Sequence, residues 1–320
     1  MSPESPPPVS GLRTQNSGLH VHGALTLVSL LFSANYIISK LAMNAFSPLV
    51  FAYLRVVGSA VILNALVHDR TPVSREDSWR LAGYSLLGVV LNQSLFLGGL
   101  SLTSAHVAVI LMTTIPAFAL AAAIVVGRER ATAAKIGGIA LAAAGALLVV
   151  AGEGFEGARK SLIGDLFILG NSLCYALYLV LSKPIMARLS ARRVIAWIFA
   201  LGTVLMLPIS AWPMLHQDWR HIPAQAWLAL ALVILGPTVA AYLLNAWALA
   251  NAESSLVATY TYLQPVTTIL LAAIFLGESV RPVAIGAAAL IFTGIYLAGR
   301  ASQEKFIPRG ARDLRRHSDE

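Results

Sequence analysis

The chain has 320 residues, of which 57% are apolar and only 12% charged, and its mean hydropathy is +0.73. An ordinary soluble domain carries about 25% charged residues, so this chain cannot cover a water-facing surface, and it is far too hydrophobic to be disordered as a whole. The net charge of +8 does not mark a nucleic-acid binder, because the cations sit between apolar stretches and in the C-terminal tail, as the positive-inside rule places them at a bilayer.

What remains is an all-α polytopic membrane protein. Residues 1–20, with Ser5-Pro6-Pro7-Pro8, read as a disordered tail, and the first apolar run is too long for a signal-peptide core. A helix needs roughly 20 apolar residues to cross a bilayer core. Ten stretches qualify: 22–44, 47–68, 78–100, 104–127, 131–151, 162–185, 191–212, 224–249, 254–277 and 281–300. With the N-terminus in the cytoplasm, ten spans return the C-terminus there. Of the 23 Lys and Arg, 17 then lie inside, Arg55 lies within span two, and only Lys40, Arg159, Lys160, Arg220 and Arg281 lie outside. Residues 301–320 form a basic cytoplasmic tail. The lone cysteine, Cys174, reads as a small packing residue.

The chain also repeats itself. At an offset of 149, Pro116 matches Pro265, Glu129 matches Glu278, Gly137 matches Gly286, Leu141 matches Leu290 and Gly145 matches Gly294. Upstream, Trp79 matches Trp227 and Gly88 matches Gly236 at 148; Ser39-Lys40 matches Ser182-Lys183 at 143; and Gly58 matches Gly202 at 144. The drift indicates small loop insertions, so two five-helix repeats are expected, over 21–151 and 162–300. Five is odd, so the second repeat enters the membrane from the opposite side. The halves are then related by a pseudo-two-fold axis in the membrane plane, an arrangement associated with alternating-access transporters. A duplicated but inert helix bundle is the alternative.

A proline in the fourth helix of each half, a following glutamate near the turn (Gly127-Arg128-Glu129 and Leu276-Gly277-Glu278) and a glycine-spaced fifth helix complete the pattern. This ordered, duplicated set resembles the drug/metabolite transporter superfamily in its EamA-domain branch, over about residues 22–300. The stretch 92–150 is also similar to plant amino-acid exporters of that superfamily. The resemblance implies a solute carrier, often an exporter, with a central cavity lined by helices one, three, four, six, eight and nine. The family's substrates include amino acids, other metabolites, nucleotide sugars and drugs.

Candidate path residues follow from chemistry. Pro116 and Pro265 each remove a main-chain donor and free a carbonyl one turn earlier, at Met112 and Thr261. Such groups are tolerated in a bilayer only where protein or a wet cavity satisfies them. This favours kinked, cavity-lining helices, with Thr113, Thr114, Tyr260, Tyr262 and Gln264 beside the freed groups; a packing kink is the alternative. Polar side chains within spans are costly in lipid and usually face the bundle interior. Here they are Asn35, Tyr36, Asn92, Gln93, His106, Asn171, Tyr175, Tyr178, Tyr242 and Asn245. Amides and phenols suit a zwitterionic or hydrogen-bonding solute with an apolar part, or else act as interhelical glue.

Arg55 is the one charge near mid-membrane, and its counterpart in the repeat is Phe199. It either binds a carboxylate or phosphate or fixes packing, and the structural role is favoured because span two lies outside the family's usual cavity helices. Lys40 and Lys183 read as gates or headgroup anchors. Glu129 and Glu278 read as caps of tight hairpins, and Glu253 as a gate. The Gly-x3-Leu-x3-Gly runs of spans five and ten allow close approach within the chain or, alternatively, in a homodimer.

No Asp or Glu lies deep in a span, Asp165 being near an outer end, so a mid-membrane carboxylate proton relay is not expected. Facilitated diffusion, exchange, or coupling through His106 or a membrane-end acid remains. No HExxH and no phosphate-binding loop occurs, so neither a metal, a cofactor nor an enzyme is expected. The expected partners are a small-molecule solute and the lipid bilayer. The best reading is a secondary exporter of amino acids or similar small metabolites, in a prokaryotic cytoplasmic (inner) membrane. A nucleotide-sugar or drug antiporter, and a non-transporting protein that binds lipid or a partner, are the competing readings.

Overall fold

A bilayer offers the main chain no hydrogen-bond partners, so an apolar chain of this kind satisfies its amides within helices. The computed structural model describes residues 14–67, 73–152, 158–251, 260, 263–279 and 282–303, and every regular element among them is helical. In chain order these are α1 (Thr14–Ala42), α2 (Pro48–Leu66) and α3 (Arg75–Ser85), which runs through a π-helical turn (Leu86–Leu91) into α4 (Asn92–Leu100). Then come α5 (Ala105–Met112), α6 (Ile115–Val125), α7 (Ala133–Gly152), α8 (Ala158–Leu189) and α9 (Ala191–His216). α10 (Ala224–Val233) passes through a second π turn (Ile234–Ala240) into α11 (Ala241–Asn251), followed by α12 (Leu263–Leu276) and α13 (Pro282–Gln303).

Local chemistry explains several boundaries. Ser74 and Ser104 cap α3 and α5 through their side-chain oxygens, which accept from the amides of Asp77 and Val107. Pro116 stands in the first turn of α6, so the fourth apolar stretch is broken at Thr113-Thr114 into α5 and α6. Gly127 and Gly277 end α6 and α12 in the left-handed region, at φ +74° and +65°, where a side chain would be strained.

Among the described residues, seven helical stretches are long and apolar enough to cross a membrane: His20–Ala42, Pro48–Leu66, Arg75–Leu100, Ala105–Val125, Lys160–Met186, Ala191–His216 and Ala224–Asn245. Three shorter apolar helices, Ala133–Leu148, Leu263–Leu276 and Pro282–Gly294, fall within the other expected spans. Side-chain distribution fits lipid surroundings: Val125, Leu215 and Ile274 are exposed, whereas Ser33, Asn35, Asn92, Gln93 and Asn171 are buried.

Glycines set the closest packing, and the contacts come in reciprocal pairs. A Cβ on Gly58 of α2 would lie 2.5 Å from Ile234 in the second π turn, and one on Gly202 of α9 would lie 2.7 Å from Val89 in the first. Likewise α7 and α13 meet main chain to main chain. A Cβ on Gly145 would stand 2.8 Å from the Ala287 carbonyl oxygen, and one on Gly294 only 2.5 Å from that of Gly138. The other members of the two runs, Gly137 and Gly286, have nothing within 4 Å of such a Cβ. One glycine of each run therefore serves the packing within the chain and the other does not. Gly294→Ala is expected to lower stability by about 1–3 kcal/mol through overpacking. Gly286→Ala should leave stability unchanged or slightly raised; thermal unfolding of the two purified variants in detergent checks the contrast.

Candidate functional site

The π turn in the third apolar stretch lifts the main chain out of regular register just before Asn92, and π turns often sit at functional sites. There the Asn171 amide of α8 donates to the Asn92 carbonyl at 2.7 Å, and Gln93 Nε2 donates to Asn92 Oδ1 at 3.3 Å. The Gln93 Oε1 and Asn171 Oδ1 oxygens are buried without a partner, so the cluster can accept hydrogen bonds. On the same helix Tyr178 covers Gly88, where any Cβ would come within 2.7 Å of the phenol ring. The Tyr175 and Tyr178 rings lie 5.8 Å apart. The Tyr175 phenol neighbours that of Tyr242 of α11, whose ring meets Phe32 and Phe199 edge-on. Asn92, Gln93 and Asn171 thus form one group, and Tyr175, Tyr178 and Tyr242 another. Asn245 is half-buried one turn beyond Tyr242.

The remaining expected residues are more dispersed. Tyr36 donates to the Met112 sulfur at 3.0 Å and packs edge-on against Phe96. Asn35 accepts from Ser39 along α1. Thr113 and Thr114 donate to the Ile110 and Leu111 carbonyls, so these hydroxyls serve the broken helix. Pro116 is exposed whereas Pro265 is buried. Tyr260 bonds His22 at 2.6 Å, and the Gln264 carbonyl accepts from Ser33. Glu253, Thr261 and Tyr262 lie outside the described residues. A seam of hydroxyls went unnoticed in the sequence: Ser29 donates to the Tyr260 carbonyl at 2.8 Å, and Ser33 bonds Thr267. The four-residue spacing of Ser29 and Ser33 on one helix face was the available signal.

The strongest polar network closes one end of the bundle. Glu278, one residue past the α12 glycine, takes Lys40 Nζ of α1 at 2.7 Å on Oε1 and His106 Nδ1 of α5 at 2.9 Å on Oε2. The amides of Ala105 and His106 add bonds of 3.0 and 3.2 Å, which is anion capture at a helix N-terminus. Lys40 also donates to the Thr103 carbonyl at 2.9 Å. Glu278 therefore receives a helix start, as an acidic cap does. That helix is α5 in the first half, however, and not the one following Glu278. His106 belongs to this network and Lys40 is a latch to the other half, not a headgroup anchor. Burial alone would raise the Glu278 carboxyl, but the bonds from His106 and Lys40 and the Ala105 amide outweigh it and hold it at about 2, against an ordinary 4.5.

The opposite end differs. Glu129, two residues past its glycine, pairs with Lys135 on the next helix, Arg128 reaches the Val180 carbonyl, and Lys183 is exposed. Arg188 joins Asp77 there at 2.6 Å. Arg55 is buried in α2 and donates from Nε to Thr238 of the second π turn at 2.8 Å. Among the described residues no group of three or more His, Cys, Asp or Glu is arranged to hold a metal.

An apolar helical bundle with polar groups on its inside defines an integral membrane protein. The sequence profile of the EamA-like transporter family matches residues 22–151 and 162–300, and the chain belongs to that family. A protein of Archaeoglobus fulgidus named as an uncharacterized transporter is 29% identical over 88% of this chain and 97% of its own. A WAT1-related protein of Arabidopsis thaliana is 26% identical over 86% of this chain and 84% of its own. A probable terminal-alkyne amino-acid exporter of Streptantibioticus cattleyicolor is 27% identical over 61% of this chain and 64% of its own. A crystal structure 19% identical in sequence superposes with a TM-score of 0.59 over 91% of this chain and 99% of that one, sharing the fold.

The latch carries a pH signature. Because the folded Glu278 carboxyl is held below its ordinary value, its stabilisation is complete above about pH 4.5 and is lost as pH falls toward about 2. Glu278→Gln is therefore expected to melt below wild type at neutral pH, the gap closing across that window; parallel thermal melts from pH 7 downward measure it.

Proposed function

We propose that the protein is a ten-span secondary transporter that exports amino acids or similar small metabolites by alternating access, built as two inverted five-helix repeats over 21–151 and 162–300. On this reading the three shorter apolar helices, α7, α12 and α13, are spans five, nine and ten. The reciprocal glycine contacts, and π turns beginning at Leu86 and Ile234, an offset of 148, support the repeat.

The observation that carries the reading is the asymmetry of the latch. Lys40 and Glu278 join the halves at one end, while their repeat counterparts Lys183 and Glu129 are apart at the other. The excess of Lys and Arg in alternate loops sets the termini in the cytoplasm and the closed latch at the outer end. When the halves exchange conformations, the outer latch opens and Glu129 meets Lys183 at the inner end. The amide cluster and the tyrosine group lie between the two ends and are the binding residues of the path, with Asn245 and Gln264 beside them. The small-metabolite substrate follows from these uncharged hydrogen-bonding groups and from the named amino-acid exporter among the relatives. The membrane is a prokaryotic cytoplasmic membrane.

Proteoliposomes preloaded with pooled amino acids are expected to take up labelled amino acid by saturable counterflow. Tyr175→Phe, Asn245→Ala and Gln264→Ala should each raise the half-saturation concentration about tenfold, the equivalent of 1.4 kcal/mol of binding. A flat response to amino acids with saturable exchange of nucleotide sugars would reassign the substrate, and no flux from folded protein with any pool would overturn the transporter reading.

A further inference from the structure

Arg55 is the feature that neither the latch nor the amide cluster uses. Its residue surface is only 4% exposed. Its Nε is bonded to Thr238 Oγ1, which itself donates to the Val233 carbonyl at 2.8 Å across the π turn. Its Nη1, by contrast, is buried with no hydrogen-bond partner, and among the described residues no carboxylate pairs with it. A buried guanidinium with an idle N–H is costly unless an anion completes it.

What lies next to it fits an anion. Tyr242 stands four residues after Thr238, the partner of Arg55, and its phenol interacts electrostatically with the guanidinium and with the Tyr175 phenol. Arg55, Tyr242 and Tyr175 therefore bring one charged and two phenolic donors to one region of the bundle. Tyr242 also borders a narrow cleft between α2, α9 and α11, walled by Leu63, Leu66, Ile195 and Leu243, with the exposed Arg192 on its lining. A cation and a phenol on a lining with apolar walls suit an organic anion with an apolar side. A guanidinium also recognises a carboxylate in a planar, two-bond geometry.

We propose that Arg55 anchors a subsite, completed by Tyr242 and Tyr175, that takes the carboxylate of the transported solute. This rests on the transporter reading and narrows its substrate to organic acids, zwitterions included. It also gives the second helix a part in binding, which its counterpart in the repeat, with Phe199 at the matching place, does not have.

The test is thermal unfolding of the purified full chain with L-leucine, L-phenylalanine and hexanoate, each against its amide. At least one acid is expected to raise the melting temperature of wild type where its amide does not. Arg55→Gln should weaken that acid at least tenfold while melting, without ligand, at or above wild type, because an uncompensated buried charge has been removed. Tyr242→Phe, which leaves the charge in place, should weaken the acid about fivefold and spare the amide. Equal response to acids and amides, or an undiminished response in Arg55→Gln, would overturn the subsite. So would a ligand-free Arg55→Gln that melts well below wild type or fails to fold, together with a Tyr242→Phe that binds the acid normally. Reconstitution in phosphatidylcholine with and without phosphatidylglycerol separates the lipid source. Stabilisation by the anionic lipid that Arg55→Gln abolishes, with no response to the small acids, assigns the group to a headgroup and overturns the solute proposal. Counterflow keeps the two readings apart: flux of the acid unchanged in Arg55→Gln overturns the subsite and leaves transport standing. Acid binding lost in Arg55→Gln without any flux in wild type supports the subsite and counts against transport.

Discussion

The fold depends on places where a glycine lets a neighbouring helix come closer than any side chain would allow. Gly58 lies under Ile234, Gly202 under Val89, and Gly145 and Gly294 lie against the main chain of the facing helix. In lipid there is little hydrophobic drive between helices, so van der Waals contact at such close approaches is a main source of association. The same approaches bring α2 and α9 onto the two π turns. A π turn leaves main-chain groups out of regular register, and side chains use them: Asn171 donates to the Asn92 carbonyl beyond the first, and within the second the Thr238 hydroxyl donates to the Val233 carbonyl while accepting from Arg55. Packing and polar chemistry are thus set by one device, used once in each half.

Polar groups inside the bundle divide into two kinds. Some are consumed by the structure. The Thr113 and Thr114 hydroxyls return to their own helix, and the Ser29 and Ser33 hydroxyls tie α1 to Tyr260, Gln264 and Thr267. Others keep capacity in reserve, notably Gln93 Oε1, Asn171 Oδ1 and Arg55 Nη1. A buried polar atom without a partner costs free energy, so these atoms are hydrogen-bonding capacity that the fold itself leaves unused.

The latch shows how small a difference distinguishes the two ends. Both α6 and α12 stop on a left-handed glycine, but Glu278 follows its glycine directly, whereas Arg128 intervenes before Glu129. In the second half the carboxylate meets Lys40, His106 and the start of α5; in the first it meets Lys135 of its own hairpin. Three different elements converge on Glu278, so its charge is worth more than that of a surface pair, which solvent and side-chain entropy discount.

By itself the sequence determined the apolar helical character, the family resemblance and the inventory of polar side chains, because hydropathy, proline, glycine and repeat spacing are local or periodic properties of the chain. It placed Asn92, Gln93, Asn171, Tyr175, Tyr178 and Tyr242 within apolar stretches, yet it could not say that they form two groups. It took Glu278 for the cap of its own hairpin, since a helix start three residues away is visible in the sequence and one 172 residues away is not. The partners of Ser29 and Ser33 and the idle Arg55 nitrogen were likewise invisible. Which partner a buried donor finds, and whether it finds one at all, is decided by how helices far apart in the chain cross, and only the tertiary structure holds that information.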